Sequence, residues 1–169
     1  MKTLKFLTLG YLFIALTACS SDDDNPTPVH AEEVITTVIA TLTPQGGGTD
    51  VTLTSRDLDG DGPNDPLVTI SGALASGTIY DGAITLSNET ESPAEDITEE
   101  VEHEGDEHEF FYSTNVSGIT ISKEDNDSDG NPIGIETTLT TGGAGTGTLT
   151  IILKHEPTKP NNNTPAGAG

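Results

Sequence analysis

Thr78-Ile79-Tyr80-Asp81-Gly82-Ala83-Ile84-Thr85-Leu86-Ser87-Asn88 is the stretch on which the fold turns. Ile79, Asp81, Ala83 and Thr85 alternate with Tyr80, Gly82, Ile84 and Leu86. A period of two belongs to a β-strand that rests one face on a core. The alternation is imperfect, and Gly82 marks a candidate bulge, since glycine inside a strand weakens it and permits a bend.

The same signature recurs on both sides. Residues 33–43 are rich in Val, Ile and Thr and are closed by Pro44 and three glycines. Residues 50–56 and 67–71 read as strands before the central one, with an acidic loop at 57–66 between them. Residues 108–113, 119–123, 134–140 and 147–155 follow as strands, with a glycine turn at 142–145. The odd segment is 92–109, where Ile97 and Val101 alone break the polarity at helical spacing. It predicts a short helical turn or an extended acidic loop, and excludes a long buried helix. Strands at this spacing, punctuated by Gly, Asp and Asn, predict an all-β chain, an antiparallel immunoglobulin-like β-sandwich over 32–157. Residues 158–169 are mostly Pro, Asn, Gly, Thr and Ala and read as a disordered tail, with truncation of the chain as a further expectation.

Composition agrees. Hydrophobic residues make up 32% and aromatics 4% of the 169 residues, with no Trp, so the core is thin and aliphatic. Six basic residues face 28 acidic ones, a formal net charge of −22. Such a surface repels phosphate backbones, which argues against nucleic acid as a partner. Cations or a basic partner are its electrostatic complement, and a solvated acidic surface is the plainer alternative.

The first 18 residues read as a signal peptide. Lys2 and Lys5 open it, and 6–15 is an apolar run too short to span a bilayer comfortably. Leu16-Thr17-Ala18-Cys19 then resembles the lipobox of bacterial lipoproteins, in which the cysteine thiol accepts a diacylglycerol. On that reading the only cysteine, Cys19, is the site of lipid attachment, and 19–31 is an acidic, proline-containing tether. Removing the leader's 18 residues from 169 leaves 151, with four basic and 28 acidic residues and a net charge of −24. An ordinary signal peptide with a chance cysteine is the alternative. Ser20-Ser21-Asp22-Asp23-Asp24-Asn25 resembles the acidic export signal of surface-exposed Bacteroidota lipoproteins. That implies an outer-membrane protein facing the medium, with a periplasmic-facing lipoprotein as the alternative.

Several blocks carry a wider resemblance. They are Glu32-Glu33-Val34-Ile35-Thr36-Thr37, Arg56-Asp57-Leu58-Asp59-Gly60-Asp61-Gly62, Asn88-Glu89, Ser92-Pro93-Ala94-Glu95-Asp96-Ile97-Thr98-Glu99-Glu100, Asp106-Glu107-His108-Glu109-Phe110-Phe111, Asp129-Gly130-Asn131-Pro132-Ile133-Gly134, residues 141–147, and Leu153-Lys154-His155-Glu156-Pro157. Together they resemble a family of small Bacteroidota surface lipoproteins that carry the label type 1 periplasmic binding domain-containing protein. The resemblance implies a secreted β-rich domain encoded beside TonB-dependent receptors, and a pattern that continues past the Asn-rich tail into one more strand. It does not imply a two-lobed sugar-binding fold, because 151 residues without βαβ alternation cannot build one.

Three clusters could hold a metal. Glu102-His103-Glu104 and Asp106-Glu107-His108-Glu109 combine two imidazoles with carboxylates, a donor set for zinc or another divalent transition ion. His103 and His108 are five apart, which fits neither a helical pair nor one strand face, so a loop must bring them together; a solvated loop with incidental histidines is the alternative. Asp125-x-Asp127-x-Asp129-Gly130, with Glu136 closing the pattern, matches the calcium loop of EF-hands, although its flanks read as strands and Pro132 interrupts it. Asp57-x-Asp59-Gly60-Asp61 is a weaker calcium candidate, and an Asp/Gly turn is the alternative for both loops. Nucleophile elbow, P-loop and zinc-protease motifs are missing, so no catalytic residues are assigned and an enzyme is not expected. The expected role is a non-catalytic binding or accessory lipoprotein, for a divalent metal or beside a TonB-dependent uptake receptor. The alternative is a structural or adhesive surface module without a small ligand.

Overall fold

The computed structural model describes residues 33–60 and 62–169. The expected leader, the tether, the lipid-bearing Cys19 and Asp61 of the first calcium candidate lie outside the described residues.

The strands are β1 (Thr37–Pro44), β2 (Val51–Arg56), β3 (Leu67–Ile70), β4 (Ile79–Asn88), β5 (Glu95–Asp96), β6 (His108–Thr114), β7 (Thr120–Lys123), β8 (Glu136–Thr140) and β9 (Leu149–His155). One short helix, α1 (Thr98–His103), precedes β6. The fold is all-β and every strand pairing is antiparallel. Seven strands form one sheet in the order β3-β2-β1-β4-β8-β7, with β5 added on β4, while β6 and β9 form the second. The sandwich is therefore unequal: a two-stranded layer packs on part of a broad one.

β4 sits at the centre, and its alternation is complete. Tyr80, Gly82, Ile84 and Leu86 are buried, and Ile79, Asp81, Ala83 and Thr85 are exposed. The candidate bulge at Gly82 is absent. The register runs unbroken past it on both sides, with Leu42 of β1 and Thr137 of β8 opposite. The glycine answers a need for space: a Cβ there would lie 3.1 Å from Leu42 Cδ2 and would overlap Thr137 Oγ1. Gly82→Val is accordingly expected to destabilise the domain by about 1–3 kcal/mol through overpacking. A lowered urea midpoint checks this, and an unchanged midpoint would show that the neighbours yield freely.

Where the layers meet, Ala40, Ile84 and Leu86 of the broad sheet face Phe110 of β6, with Ile133 and Ile135 beside it. Ile97 and Val101, four residues apart, fall on one side of the helical turn and bury it against the same cluster. A second cluster of Leu42, Val51, Tyr80 and Leu139 lies toward the other end.

The tail is not disordered as its composition suggested. Thr158 N donates to the Ala168 carbonyl at 2.6 Å, and Ala168 is buried in a short turn, Pro165–Ala168, capped by Thr164. Lys159 Nζ meets Asp127 Oδ2 at 3.2 Å, and Asn161 Nδ2 donates to Glu109 Oε2 at 2.6 Å. The physical reason is the body's acidity: its buried carboxylates need donors, and this tail supplies an ammonium and a carboxamide.

Candidate metal centre

The β6–β9 ladder sets His108 directly opposite His155. Directly opposed residues share one sheet face, and the two rings stack with centroids 5.0 Å apart at 23°. Along that face Phe110 opposes Leu153 and Tyr112 opposes Ile151, all four packed on the core. The histidines are thus the polar end of an apolar stripe, next to α1 and to the residues that lead into β1.

His108 is only 1% exposed. Its Nδ1 lies 3.0 Å from the Glu104 carbonyl oxygen. A carbonyl only accepts, so Nδ1 carries a proton, and in the neutral ring Nε2 presents a lone pair. This is the arrangement by which a metal-binding imidazole is oriented: one ring nitrogen tied to a carbonyl, the other free for the ion. Nε2 is buried and lies 3.3 Å from Glu33 Oε2, an ion pair when the ring is protonated; in the neutral ring it has no hydrogen-bond donor to meet. In that tautomer two acceptors face one another, an arrangement that a cation between them relieves.

Glu33, His108 and His155 each bring a ligand atom within 4.8 Å of the others. Glu33 also lies within that distance of carboxylate oxygens of Glu100 and Glu104. Burial pushes the Glu33 carboxyl up, yet its own backbone amide and, when the rings carry a proton and its charge, the imidazoles of His108 and His155 outweigh burial and hold it below the usual carboxylate range. His155 Nε2 is 3.9 Å from Glu107 Oε2. Tetrahedral zinc ligands sit roughly 3.3 Å apart given Zn–N bonds of about 2.0–2.1 Å. The His108 Nε2–Glu33 Oε2 pair already stands at that spacing, 3.3 Å. Two imidazoles and a carboxylate form a Lewis-basic pocket for a borderline ion, with Glu107, Glu100 and Glu104 placed to tune its charge.

The segment singled out from sequence enters this centre only in part. His108 is the side chain it supplies, Glu104 contributes its carbonyl, and Glu107 flanks His155. Glu102, His103 and Asp106 are exposed. The proposed pairing of His103 with His108 is not formed, because His103 ends α1 in solvent while the chain turns inward before His108 starts β6. Glu33 and His155 were missed, since only the folded register brings them to His108.

The two calcium candidates behave as turns. Asp125 accepts from the backbone amides of Gly134 and Ile135, both at 2.8 Å. Asp127 Oδ1 accepts from the amides of Asp129 and Asn131 at 3.0 and 2.8 Å, while Asp129 is exposed. Glu136 lies on the exposed side of β8. In the other loop Asp57 accepts from Asp59 N, and Asp59 accepts from Asn64. Protein donors occupy the carboxylates of Asp125 and Asp127 where a calcium shell would need them, so their loop does not gather its acids on one point.

No family model matches the chain, nor does any curated protein or solved structure.

Proposed function

We propose that this chain is a lipid-anchored, non-catalytic binding protein whose ligand is a divalent transition ion of the zinc class, held by Glu33, His108 and His155. The observation that carries this reading is the buried Nε2 of His108, oriented by the Glu104 carbonyl, without a hydrogen-bond partner and aimed at Glu33. The lipobox-like leader and the acidic segment after Cys19 support display on the outer membrane. The family resemblance supports a TonB-dependent receptor as the partner that would use the captured ion, and its recovery with the purified lipoprotein is the check on that part.

The test is zinc titration of the chain from Ser20 onward at physiological salt. Saturable one-to-one binding is expected. His108→Ala and His155→Ala should each weaken it at least tenfold, the low end for losing one ligand. His103→Ala should leave it unchanged, because that imidazole is exposed at the end of α1. Acidification through the histidine range should release the ion, since only a neutral imidazole ligates. Identical isotherms for all four proteins would leave only diffuse attraction to an acidic surface.

The second reading, a structural or adhesive module, has its own observation. Edge strand β3 exposes Leu67, Val68 and Ile70, each more than 60% accessible, beside an open apolar groove of about 780 Å³. Val68→Lys with Ile70→Lys should abolish adhesion on that reading and leave zinc binding intact.

A further inference from the structure

The other face of β6 carries a different constellation. Glu109 is 2% exposed, and its two oxygens hold two different partners. Oε1 accepts from Lys123 Nζ at 2.5 Å, and Oε2 accepts from Asn161 Nδ2 at 2.6 Å. Lys123 ends the edge strand β7, whereas Asn161 comes from the folded-back tail, so one carboxylate bridges two distant segments. The Lys123 side chain is 7% exposed, and its nitrogen lies 4.5 Å above the centroid of the Phe111 ring. Asn161 Nδ2 also donates to the Thr158 carbonyl at 3.0 Å, which fixes the plane of the carboxamide. A buried nucleophile and a buried proton carrier are therefore held together, with a partly buried carboxamide on the same carboxylate.

We propose that Lys123 and Asn161 join in an autocatalytic isopeptide bond with Glu109 as the proton carrier. In the first step the Glu109 carboxylate takes a proton from the Lys123 ammonium across their direct contact. The freed Nζ lone pair attacks Asn161 Cγ; the Cγ–Nζ bond forms and the carbonyl electrons move onto Oδ1. Glu109 passes its proton to Nδ2 and receives one from Nζ. The carbonyl reforms, the Cγ–Nδ2 bond breaks, and Nδ2 leaves as ammonia, which carries off the remaining proton as ammonium. The step needs no oxidant, reductant or co-reactant. Amide aminolysis is slow in solution, and fixed proximity is what makes it accessible in a fold. The product ties the tail covalently to the edge of the broad sheet.

A neighbouring trio shows what the geometry requires. Lys159 meets Asp127, and Asn131 Nδ2 lies 3.3 Å from the same carboxylate. There, however, Asp127 Oδ1 already accepts two backbone amides, and Lys159 also donates to the Gly105 carbonyl. That carboxylate is a fixed structural acceptor, so no cross-link is expected between Lys159 and Asn131.

Intact-mass spectrometry of the chain from Ser20 onward tests the proposal. The expected mass is below the sequence mass by one ammonia. A tryptic digest should show no cleavage after Lys123 and a peptide joining Lys123 to Asn161. Glu109→Gln should restore the full sequence mass. Asn161→Ala should do the same while leaving the Glu109–Lys123 pair in place, which keeps the test valid should the first variant fail to fold. A folded wild-type chain that keeps its full sequence mass after prolonged incubation overturns the proposal. So does an ammonia loss confined to Asn161, which marks a succinimide, or a cross-link that maps to Lys159.

Discussion

Phe110→Ala should cost the domain about 3–5 kcal/mol, the range for emptying a fully buried aromatic site. For a chain of this size that is a fall in Tm of roughly 10–20 °C. Phe110 is 1% exposed and is the side chain of the two-stranded layer that lies fully buried in the principal core cluster. That layer meets the broad sheet there through Phe110, Tyr112, Ile151 and Leu153, beside Ile97 and Val101 of the helical turn. Ile152→Ala is the control: Ile152 lies on the opposite side of β9 and is 40% exposed. Its loss should fall within about 0.5 kcal/mol, as for surface positions. Chemical denaturation of both variants checks the contrast, and equal losses would mean that the layers do not meet through this stripe.

The strand pattern was legible because its cause is local. A side chain on a strand faces the core or the solvent by parity, so Tyr80, Ile84 and Leu86 declare an inward face without reference to the rest of the chain. Ile97 and Val101 declared a helical turn for the same reason. The role of Gly82 was not legible, because the reason for a glycine there is Thr137 Oγ1, a neighbour that the sequence places 55 positions away. The order of the tail was hidden likewise: Pro and Asn content signals solvation, whereas Lys159 and Asn161 find buried carboxylates only after the body has folded.

The candidate metal centre divides along the same line. His108 stood out as an imidazole among acids. Its partners, Glu33 and His155, belong to opposite ends of the domain, and only the pairing of β6 with β9 and the approach to β1 unite them. Local density of ligand types drew attention to His103, a neighbour in sequence that the end of α1 turns outward. A histidine at the start of one strand and another at the end of its partner was the available signal. It could be used only with the register known.

Asp127→Ala should cost the domain about 3–5 kcal/mol, the cost of removing one partner from a buried ion pair. The side chains of Lys159 and Asp127 are 5% and 1% exposed, so the ammonium left behind has little water to turn to. The amides of Asp129 and Asn131 lose their acceptor as well. Asp127→Asn should cost less, since Oδ1 can still accept from those amides. The same carboxylate sets a pH dependence. Burial raises its affinity for protons, but the Asn131 amide and Lys159 outweigh burial and hold it below the usual aspartate value. A group depressed in the folded state contributes its stability fully above the unfolded value, near 3.9 for aspartate. That contribution is lost as pH falls through the lower, folded value. Urea midpoints taken from neutral pH into the acid range should therefore fall for the wild type and flatten for Asp127→Asn, the difference being this one carboxyl. Parallel acid limbs would assign the loss to other groups. Calcium decides the remaining alternative for this loop. If Lys159 and backbone amides occupy Asp127, saturating calcium should leave the wild-type midpoint where it was; a calcium-dependent rise that Asp127→Asn removes would restore the loop as a cation site.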